Sequence, residues 1–300
     1  MSNIISASRR TDVPAFYSEW FLRRLEEGFC DYWQPFAHQW FQVSLRPEEV
    51  AGIVLWTKNL GPLLPSLPAL RQRYVFYVQF TITGHPPQLE PGIVPTAEAV
   101  EQLRQVSRQF GPEAAVWRFD PIVYTQYGGP TETLGRFDRI SEQLEGYTRR
   151  CVISFMSPYR RQQKAFAQAG LQHTEPTSAE RREMAADLGA RARAHGMELS
   201  ACCNEDVLGE MVTKAHCVDA DLLRALGADL PHKVSPAPSR KGCGCMKSID
   251  IGAYDLCPGG CAYCYANQDH DLARRNWSRH SPHHHALAEA TIPRKDRDLE

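Results

Sequence analysis

Residues 75–81 have the sequence VFYVQFT, and a loop rich in proline and glycine leads from them into a predicted helix at residues 96–110. Apart from Gln79, these seven residues are aromatic or β-branched, which is the composition of a buried strand. Thr96 is a suitable residue to begin the helix that follows. A strand followed by a helix is therefore the unit from which the fold is predicted.

The same order of strand and then helix recurs on both sides of this unit. Further strands are predicted at residues 4–8, 52–56, 114–119, 150–155 and 197–201, further helices at 14–27, 61–72, 131–146 and 178–194, and an additional strand at 38–45. Such alternation favours a parallel sheet with right-handed crossovers. The sequence predicts an α/β fold, a β/α barrel or partial barrel of roughly six to eight units. We expect the barrel core at residues 1–200, a cysteine-rich segment on its mouth at 201–268, and a polar, histidine-rich tail at 269–300.

Polar and charged side chains follow the predicted strands. In a β/α barrel these positions face one mouth, so they are the candidate functional residues. The candidate catalytic residues are Arg9, Arg10, Asp12, Lys58, Arg118 and Asp120, and the candidate cofactor contacts on the strands are Asn59 and Thr81.

Two of these groups have a structural alternative. The two arginines could clamp an anionic ligand, since guanidinium binds carboxylate or phosphate in bidentate fashion, or could form an ion pair with Asp12. Arg118 and Asp120 alternate along a strand and so share one side of it. They could contact a ligand or form a purely structural pair.

Composition narrows the class of protein. The chain has 300 residues, of which 43% are hydrophobic, and a formal net charge of −1. The hydrophobic fraction is sufficient for a sizeable core. The net charge near zero argues against a nucleic-acid partner. No apolar run reaches the ~18 residues of a membrane span, and the first residues lack a signal-peptide pattern. Ten cysteines without such a signal indicate metal or redox use in a reducing compartment. We expect a cytoplasmic protein with no membrane partner.

Three of the cysteines lie on one short loop. Cys257, Cys261 and Cys264 have C-x3-C-x2-C spacing, which can hold three corners of a [4Fe–4S] cluster and leave one iron open. Gly259 and Gly260 allow the backbone to approach the cluster and to turn amides toward its sulfurs. The alternatives are zinc, with Cys243 or Cys245 as a fourth ligand, and structural thiols.

The C-x3-C-x2-C loop, with the aromatic Tyr263 before its third cysteine, resembles the signature of radical S-adenosylmethionine enzymes. Its position near the C-terminal end, together with SASRRTD at residues 6–12 and WRFDP at 117–121, is similar to a bacterial family of unknown function. That resemblance covers about residues 3–268 and implies a barrel fold.

The resemblance also implies a cofactor and an activity. S-Adenosylmethionine would bind the open iron with its adenine near Tyr263. One-electron reduction would give a 5′-deoxyadenosyl radical that abstracts hydrogen from a small-molecule substrate. We therefore expect an electron donor such as flavodoxin or ferredoxin.

A second group of cysteines could hold another metal. It comprises Cys202, Cys203, Cys217, Cys243 and Cys245, called here the second cysteine set. Four thiolates could bind a second [4Fe–4S] cluster or a zinc ion, or some could be buried small side chains. Adjacent side chains diverge along a strand, so we expect one of Cys202 and Cys203 to be spare. The histidine tract at residues 280–285 could bind metal or form a flexible, solvated end.

Two other functions remain open from the residues alone. One is a non-radical lyase or hydrolase that uses zinc or an iron–sulfur centre. The other is an iron–sulfur binding or electron-transfer module, for which charged residues at successive strand ends would serve no purpose. Brown colour would distinguish an iron–sulfur centre from colourless zinc.

Overall fold

The computed structural model describes residues 2–156 and 160–292. Within these ranges the strands are β1 (Asn3–Ala7), β2 (Phe29–Gln34), β3 (Gln39–Ser44), β4 (Val50–Thr57), β5 (Phe76–Thr81), β6 (Ala115–Ile122), β7 (Tyr124–Thr125), β8 (Arg150–Phe155), β9 (His173–Thr174), β10 (Glu198–Ala201), β11 (Thr213–Lys214) and β12 (Ile249–Asp250). The helices are α1 (Val13–Phe16), α2 (Ser18–Glu27), α3 (Leu67–Arg73), α4 (Thr96–Phe110), α5 (Pro130–Leu144), α6 (Arg160–Gln168), α7 (Ser178–Ala194), α8 (Ala220–Ala225) and α9 (His270–Ser278).

In the described ranges, eight strands form one parallel sheet in the order β11-β10-β8-β6-β5-β4-β1-β12. The six predicted core strands correspond to β1, β4, β5, β6, β8 and β10, and the additional strand to β3. Each core strand lies beside its predecessor, as short right-handed crossovers require. The edge strands β11 and β12 do not pair with each other in this part of the chain. The architecture is a large parallel sheet consistent with a partial barrel, and barrel closure is not shown.

One face of the sheet packs against the helices. Ile5, Ile53 and Phe76 point to this side and form a single core with Trp20 and Phe21 of α2. All five side chains are at most 1% exposed. Burying each contributes roughly 1.5–3 kcal/mol. The alternation of side chains along each strand therefore fixes which face the helices cover.

The other face is covered by the C-terminal cysteine-rich segment. Ile4, Val54 and Tyr77 pack on this side with Leu222 and Leu223 of α8. At Gly52 of β4, an added Cβ would lie 2.6 Å from Leu223 Cδ2, so this close approach requires glycine. Residues 215–246 consequently lie on the sheet face that a closed barrel would enclose.

The tail is folded as far as residue 292, contrary to the flexible, solvated end considered above. It contains α9 and a short 3-10 turn at Leu287–Ala290. Trp20 Nε1 donates to the carbonyl of His284 over 2.8 Å, and Asp31 N–H donates to the carbonyl of His285 over 2.9 Å. These bonds attach the histidine tract to α2 and β2. The last eight residues of the predicted tail, 293–300, lie outside the described residues.

None of the described helices combines the length and the apolar composition that crossing a membrane requires.

Candidate functional site

The loop of Cys257, Cys261 and Cys264 lies against residues that follow three core strands. The backbone amide of Asp12, just after β1, acts on the Cys257 thiol and lowers its pKa. The charges of Lys58, after β4, and Glu90, after β5, both act on the Cys261 thiol. These contacts place the loop at the carboxyl ends of β1, β4 and β5, where ligands of parallel α/β sheets commonly bind.

Glycines allow the close contact of this loop with its surroundings. The amide of Gly92 donates to the carbonyl of Gly259 over 3.1 Å. A Cβ at Gly92 would lie 2.7 Å from that same oxygen, which leaves no room for a side chain. Gly260 has a φ of 70°, in the left-handed region that favours glycine. Of the two glycines that the sequence singled out in the loop, Gly260 therefore occupies a restricted position, whereas a Cβ at Gly259 would meet its neighbours at 3.4 Å or more, which is ordinary contact.

The spacing of the three sulfurs distinguishes between metal centres. Cys257 and Cys264 each act electrostatically on Cys261, so the thiols are neighbours. The three sulfurs nevertheless do not all lie within 4.8 Å of one another. Around one tetrahedral zinc they would stand about 3.8 Å apart, given Zn–S bonds of about 2.3 Å. A [4Fe–4S] cube is larger than a single ion, so the thiolates that hold it stand farther apart than those around one zinc.

Backbone amides already point at two of these sulfurs. The amides of Asp12 and Gly259 act on the Cys257 thiol and favour its thiolate, and Cys264 accepts from Ala266 N–H over 3.4 Å. Burial raises the pKa of the Cys257 thiol to about 12 when no metal is bound. Amide donors offset this cost for a thiolate and tune the potential of a bound cluster.

A buried ion pair lies beside Cys261. Lys58 Nζ is 2.9 Å from Glu90 Oε1, which also accepts hydrogen bonds from the hydroxyls of Thr83 and Tyr263. Burial acts to raise the pKa of Glu90, but Lys58 and these donors hold it below its ordinary value. Glu90 and Cys261 together raise the pKa of Lys58 despite burial. The pair is therefore charged, and its cation faces the cysteine loop.

His85 completes this side of the site. Its ring centroid is 5.7 Å from that of Tyr263, and its Nε2 is 3.0 Å from the carbonyl oxygen of Pro121. Since a carbonyl only accepts, Nε2 carries the hydrogen. Burial lowers the pKa of His85 to about 4, so the imidazole is neutral at pH 7. It can hold or transfer a proton through Nδ1.

Sequence reasoning missed Thr83, His85 and Glu90. All three belong to the loop after β5, whose proline and glycine content gave no sign of chemistry. The usable signal was their position, because that loop begins at the carboxyl end of a core strand.

Arg118 and Asp120 pair with each other, as their shared side of β6 predicts. Arg118 Nε donates to Asp120 Oδ2 over 3.1 Å, and the Ser154 hydroxyl donates to the same carboxylate. The other end of the guanidinium donates to the Cys217 sulfur over 3.1 Å and to Gln79 Oε1 over 3.2 Å. The side chain of Arg118 is 6% exposed. Arg118 thus connects β6 to the second cysteine set.

Asp120 also faces the first group of cysteines. Its charge acts on both Lys58 and Tyr263, which line the loop of Cys261. Asp120 therefore lies between the two cysteine groups, with Arg118 on one side and Lys58 on the other.

The second cysteine set forms a ring of sulfur contacts. Cys202 interacts with Cys203 and Cys217, Cys243 interacts with Cys203 and Cys245, and Cys245 closes the ring with Cys217. No three of these sulfurs are mutually within 4.8 Å. The ring holds enough neighbouring thiols for a second [4Fe–4S] cluster or for a zinc ion.

Cys202 and Cys203 do not diverge, contrary to the expectation from strand alternation. Their sulfurs are 3.6 Å apart. The reason is that β10 ends at Ala201 and Cys203 takes a φ of 63°, so strand alternation no longer applies. Both thiols therefore reach the ring.

Arg9 and Arg10 bind a carboxylate of the chain itself. Arg9 Nε is 3.4 Å from Asp250 Oδ2, and Arg10 Nη2 is 3.2 Å from Asp250 Oδ1. The hydroxyls of Ser6 and Ser8 also donate to Asp250, over 3.0 and 2.5 Å. The two arginines therefore bind Asp250 of β12, and not the Asp12 that the sequence suggested.

Asp12 instead organises the chain at the end of β1. Its carboxylate caps α1 by accepting from Ala15 N over 3.1 Å. It also accepts from the Thr57 hydroxyl and the Lys58 amide, each over 2.7 Å. Burial raises the pKa of Asp12 to about 6. Its role in the structure is to join the ends of β1 and β4.

The two remaining candidates are Asn59 and Thr81. Asn59 Oδ1 accepts from Gly61 N over 3.0 Å and from Gln102 Nε2 over 2.9 Å, so its side chain stabilises the loop before α3. Thr81 ends β5 and pairs in register with Arg118.

Replacing Asp250 by asparagine is expected to lower the free energy of unfolding by about 3 kcal/mol at pH 7, because two largely buried guanidinium groups lose their partner. Burial acts to raise the pKa of Asp250, but Arg10 and Arg9 outweigh it and lower the pKa to about 2. A depressed carboxyl pKa contributes stability that is present above about pH 4 and is lost as pH falls toward 2. Urea unfolding between pH 7 and 2 should show this loss in the wild type and a flatter profile in Asp250→Asn.

The control is Asp221→Asn, because the Asp221 side chain is 89% exposed and pairs with Arg224 at the surface. An equal loss in both variants would contradict the prediction.

Comparison with known proteins identifies a family. Residues 4–266 match the family described as "Domain of unknown function (DUF1848)". No curated protein matches the chain. A solved structure, described as a crystal structure of "IOLI protein with a binding zinc atom", has a TM-score of 0.32 and 12% identity over 56% of this chain. The chain spans 61% of that protein's length. Since the family match covers nearly the whole chain, in agreement with the resemblance to a family of unknown function, the protein belongs to the DUF1848 family.

Proposed function

We propose that the protein is an iron–sulfur enzyme of radical S-adenosylmethionine type, with Cys257, Cys261 and Cys264 as the ligands of a [4Fe–4S] cluster. The observation that carries this proposal is the set of three neighbouring thiols on one loop, beside the buried cation of Lys58. Amides point at two of the sulfurs, and the loop lies at the carboxyl ends of the core strands. These cysteines and their surroundings therefore suit the [4Fe–4S] cluster that the C-x3-C-x2-C motif implies.

The proposed cofactors supply the radical chemistry, whereas the side chains of the protein supply charge balance and positioning. When bound, the cluster and S-adenosylmethionine supply reductive cleavage to a 5′-deoxyadenosyl radical for hydrogen abstraction from a substrate. Lys58 places a buried cation beside Cys261, which favours the thiolate and balances the negative charge of a cluster. Glu90 holds Lys58 and Tyr263 in place. Tyr263 is the residue that we propose contacts the adenosyl group.

His85 and Asp120 are proposed to face the substrate. His85 is neutral and can accept or return a proton at Nδ1. Asp120 keeps its negative charge, since burial is outweighed by Arg118 and the Ser154 hydroxyl, which hold its pKa below the usual range. A small polar molecule is the substrate class that these two groups suit.

The second cysteine set is proposed to hold a second [4Fe–4S] cluster, with a zinc ion as the alternative. Its support is the ring of five neighbouring thiols, together with the Arg118 contact at Cys217. With thiolates for every iron, such a cluster would relay electrons or stabilise the fold and would leave no position for substrate. A flavodoxin or ferredoxin is the proposed electron donor. All ten cysteines are free, which supports a reducing, cytoplasmic location.

The test is formation of 5′-deoxyadenosine. The protein is purified and reconstituted without oxygen, reduced with dithionite in the presence of S-adenosylmethionine, and assayed by mass spectrometry. We expect slow production by the wild type even without substrate. Lys58→Met should reduce it roughly 10- to 150-fold, as expected for a lost charged contact of about 1.5–3 kcal/mol.

The matched control is Lys233→Met, because Lys233 is exposed and lies outside both cysteine groups. Iron content is measured for each variant, so that loss of the cluster is separated from loss of cleavage. If protein with a fully loaded cluster neither binds nor cleaves S-adenosylmethionine, the radical function is wrong, and an electron-transfer or Lewis-acid role replaces it.

A further inference from the structure

We propose that Asp31, His285 and Glu289 form a binding site for a divalent first-row metal ion, separate from both cysteine groups. One carboxylate oxygen of Asp31, one ring nitrogen of His285 and one carboxylate oxygen of Glu289 all lie within 4.8 Å of one another. Among the described residues, this is where three such ligand atoms come together most closely. The distance between ligands around one ion is of this order, since metal–oxygen and metal–nitrogen bonds measure about 2.0–2.2 Å.

The chain holds these three residues together from two separate regions. Asp31 lies in β2, whereas His285 and Glu289 belong to the folded tail, more than two hundred residues later. Asp31 N–H donates to the carbonyl of His285 over 2.9 Å. His285 N–H donates to Glu289 Oε2 over 3.2 Å. The three residues are thus joined through the backbone as well as through their side chains.

Neighbouring groups orient two of the ligands. Gln42 Nε2 donates to Asp31 Oδ1 over 3.1 Å, which fixes the plane of that carboxylate. The His285 ring packs edge-on against Phe29 with centroids 5.2 Å apart. Such outer contacts commonly orient metal ligands and support their affinity.

Charge and access both suit a cation. Two carboxylates and one imidazole give a net charge of −2 when the histidine is neutral, and a divalent ion neutralises it. Asp31 is only 3% exposed, so an ion would offset the cost of burying its charge. The site opens into a surface depression of about 460 Å³ lined by His283, His284, His285 and Glu289, which provides an entry path.

The ligand types predict which ions bind. Oxygen and imidazole ligands suit zinc, manganese and ferrous iron, whereas thiolates select softer ions and clusters. A site with three protein ligands also keeps positions for water or another ligand. The proposed site therefore differs from the cysteine groups in the metal it takes and does not depend on their function.

The test uses Mn²⁺ as probe, because it favours oxygen and nitrogen ligands over thiolates. Full-length protein is titrated with Mn²⁺, and the unbound ion is measured by electron paramagnetic resonance. Excess Zn²⁺ should displace the bound ion.

We expect one Mn²⁺ per chain in the wild type and at least a 10-fold higher dissociation constant in His285→Ala and Glu289→Gln. Asp31→Asn should show the same weakening. Circular dichroism checks that each variant is folded, and Glu289→Gln, at a partly exposed position, keeps the test valid if Asp31→Asn does not fold.

The matched control is His283→Ala, which removes an imidazole from the same depression but not from the proposed ligand set. It should bind Mn²⁺ as the wild type does. Equal weakening by His283→Ala and His285→Ala, with no effect of Glu289→Gln, would mean that the histidine tract binds the ion nonspecifically and would overturn the proposal. Absence of stoichiometric binding by folded wild-type protein would also overturn it.

Discussion

Replacing Cys257, Cys261 and Cys264 together by alanine is expected to remove about four irons per chain and to abolish 5′-deoxyadenosine formation. The reason is that each thiolate would hold one corner of the cluster, and no other cysteine lies on that loop. Iron analysis and the visible spectrum of anaerobically reconstituted protein measure the first effect, and the assay with S-adenosylmethionine measures the second. This loss of activity is complete, which makes it the largest effect predicted here.

The matched variant is Cys217→Ala with Cys245→Ala, which breaks the ring of the second cysteine set. It should also lose about four irons, from a wild-type total near eight, while the first loop keeps its own four. A wild type with about four irons and one zinc would assign zinc to the second set. If the triple variant keeps all its iron, the proposed ligands of the first cluster are wrong.

Replacing Arg118 by methionine is expected to lower the free energy of unfolding by about 3–5 kcal/mol. The carboxylate of Asp120 would remain buried without its cation, and removing one partner of a buried pair costs about this much. Gln79 Oε1 and the Cys217 sulfur would lose a donor at the same time. Urea unfolding at pH 7, with metal content measured in parallel, tests the prediction.

The control for Arg118→Met is Arg108→Met. Arg108 Nη1 is 2.7 Å from Glu101 Oε1, a comparable distance, but both side chains are more than 40% exposed. Such surface pairs contribute little to stability, so we expect no measurable change. The double variant Arg118→Met with Asp120→Leu should recover part of the loss, because no unpaired charge remains. Failure to recover would mean that the arginine acts mainly through Cys217 and Gln79.

Much of the fold follows from local sequence. The run at residues 75–81 is so rich in β-branched and aromatic residues that only a buried strand accommodates it, and β5 occupies Phe76–Thr81. The capping box at Thr177 and Glu180 likewise places the start of α7 correctly. Both signals lie within a few residues of the element that they define.

The rest depends on contacts between distant residues, which no local pattern contains. β12 has only two residues, and neither its length nor its composition marks it as a strand. The pairing of Arg9 and Arg10 with Asp250, and of Lys58 with Glu90, joins segments whose neighbourhood only the folded chain determines. Cysteine spacing predicted the first group of thiols, but the contact of Cys202 with Cys203 required the left-handed turn at Cys203.

The pairing of β1 with β12 has a consequence during synthesis of the chain. Ile5 is aligned with Ile249, so one edge of β1 remains unpaired until a partner 244 residues later in the chain has been made. At about 5–20 residues per second, translation takes roughly 12–50 s to reach that partner. Throughout this interval the nascent chain presents an unpaired strand edge, which is an aggregation hazard. We therefore expect the nascent protein to depend on holding chaperones until about residue 250 has left the ribosome, and ribosome-bound chains truncated before and after β12 should differ sharply in protease resistance.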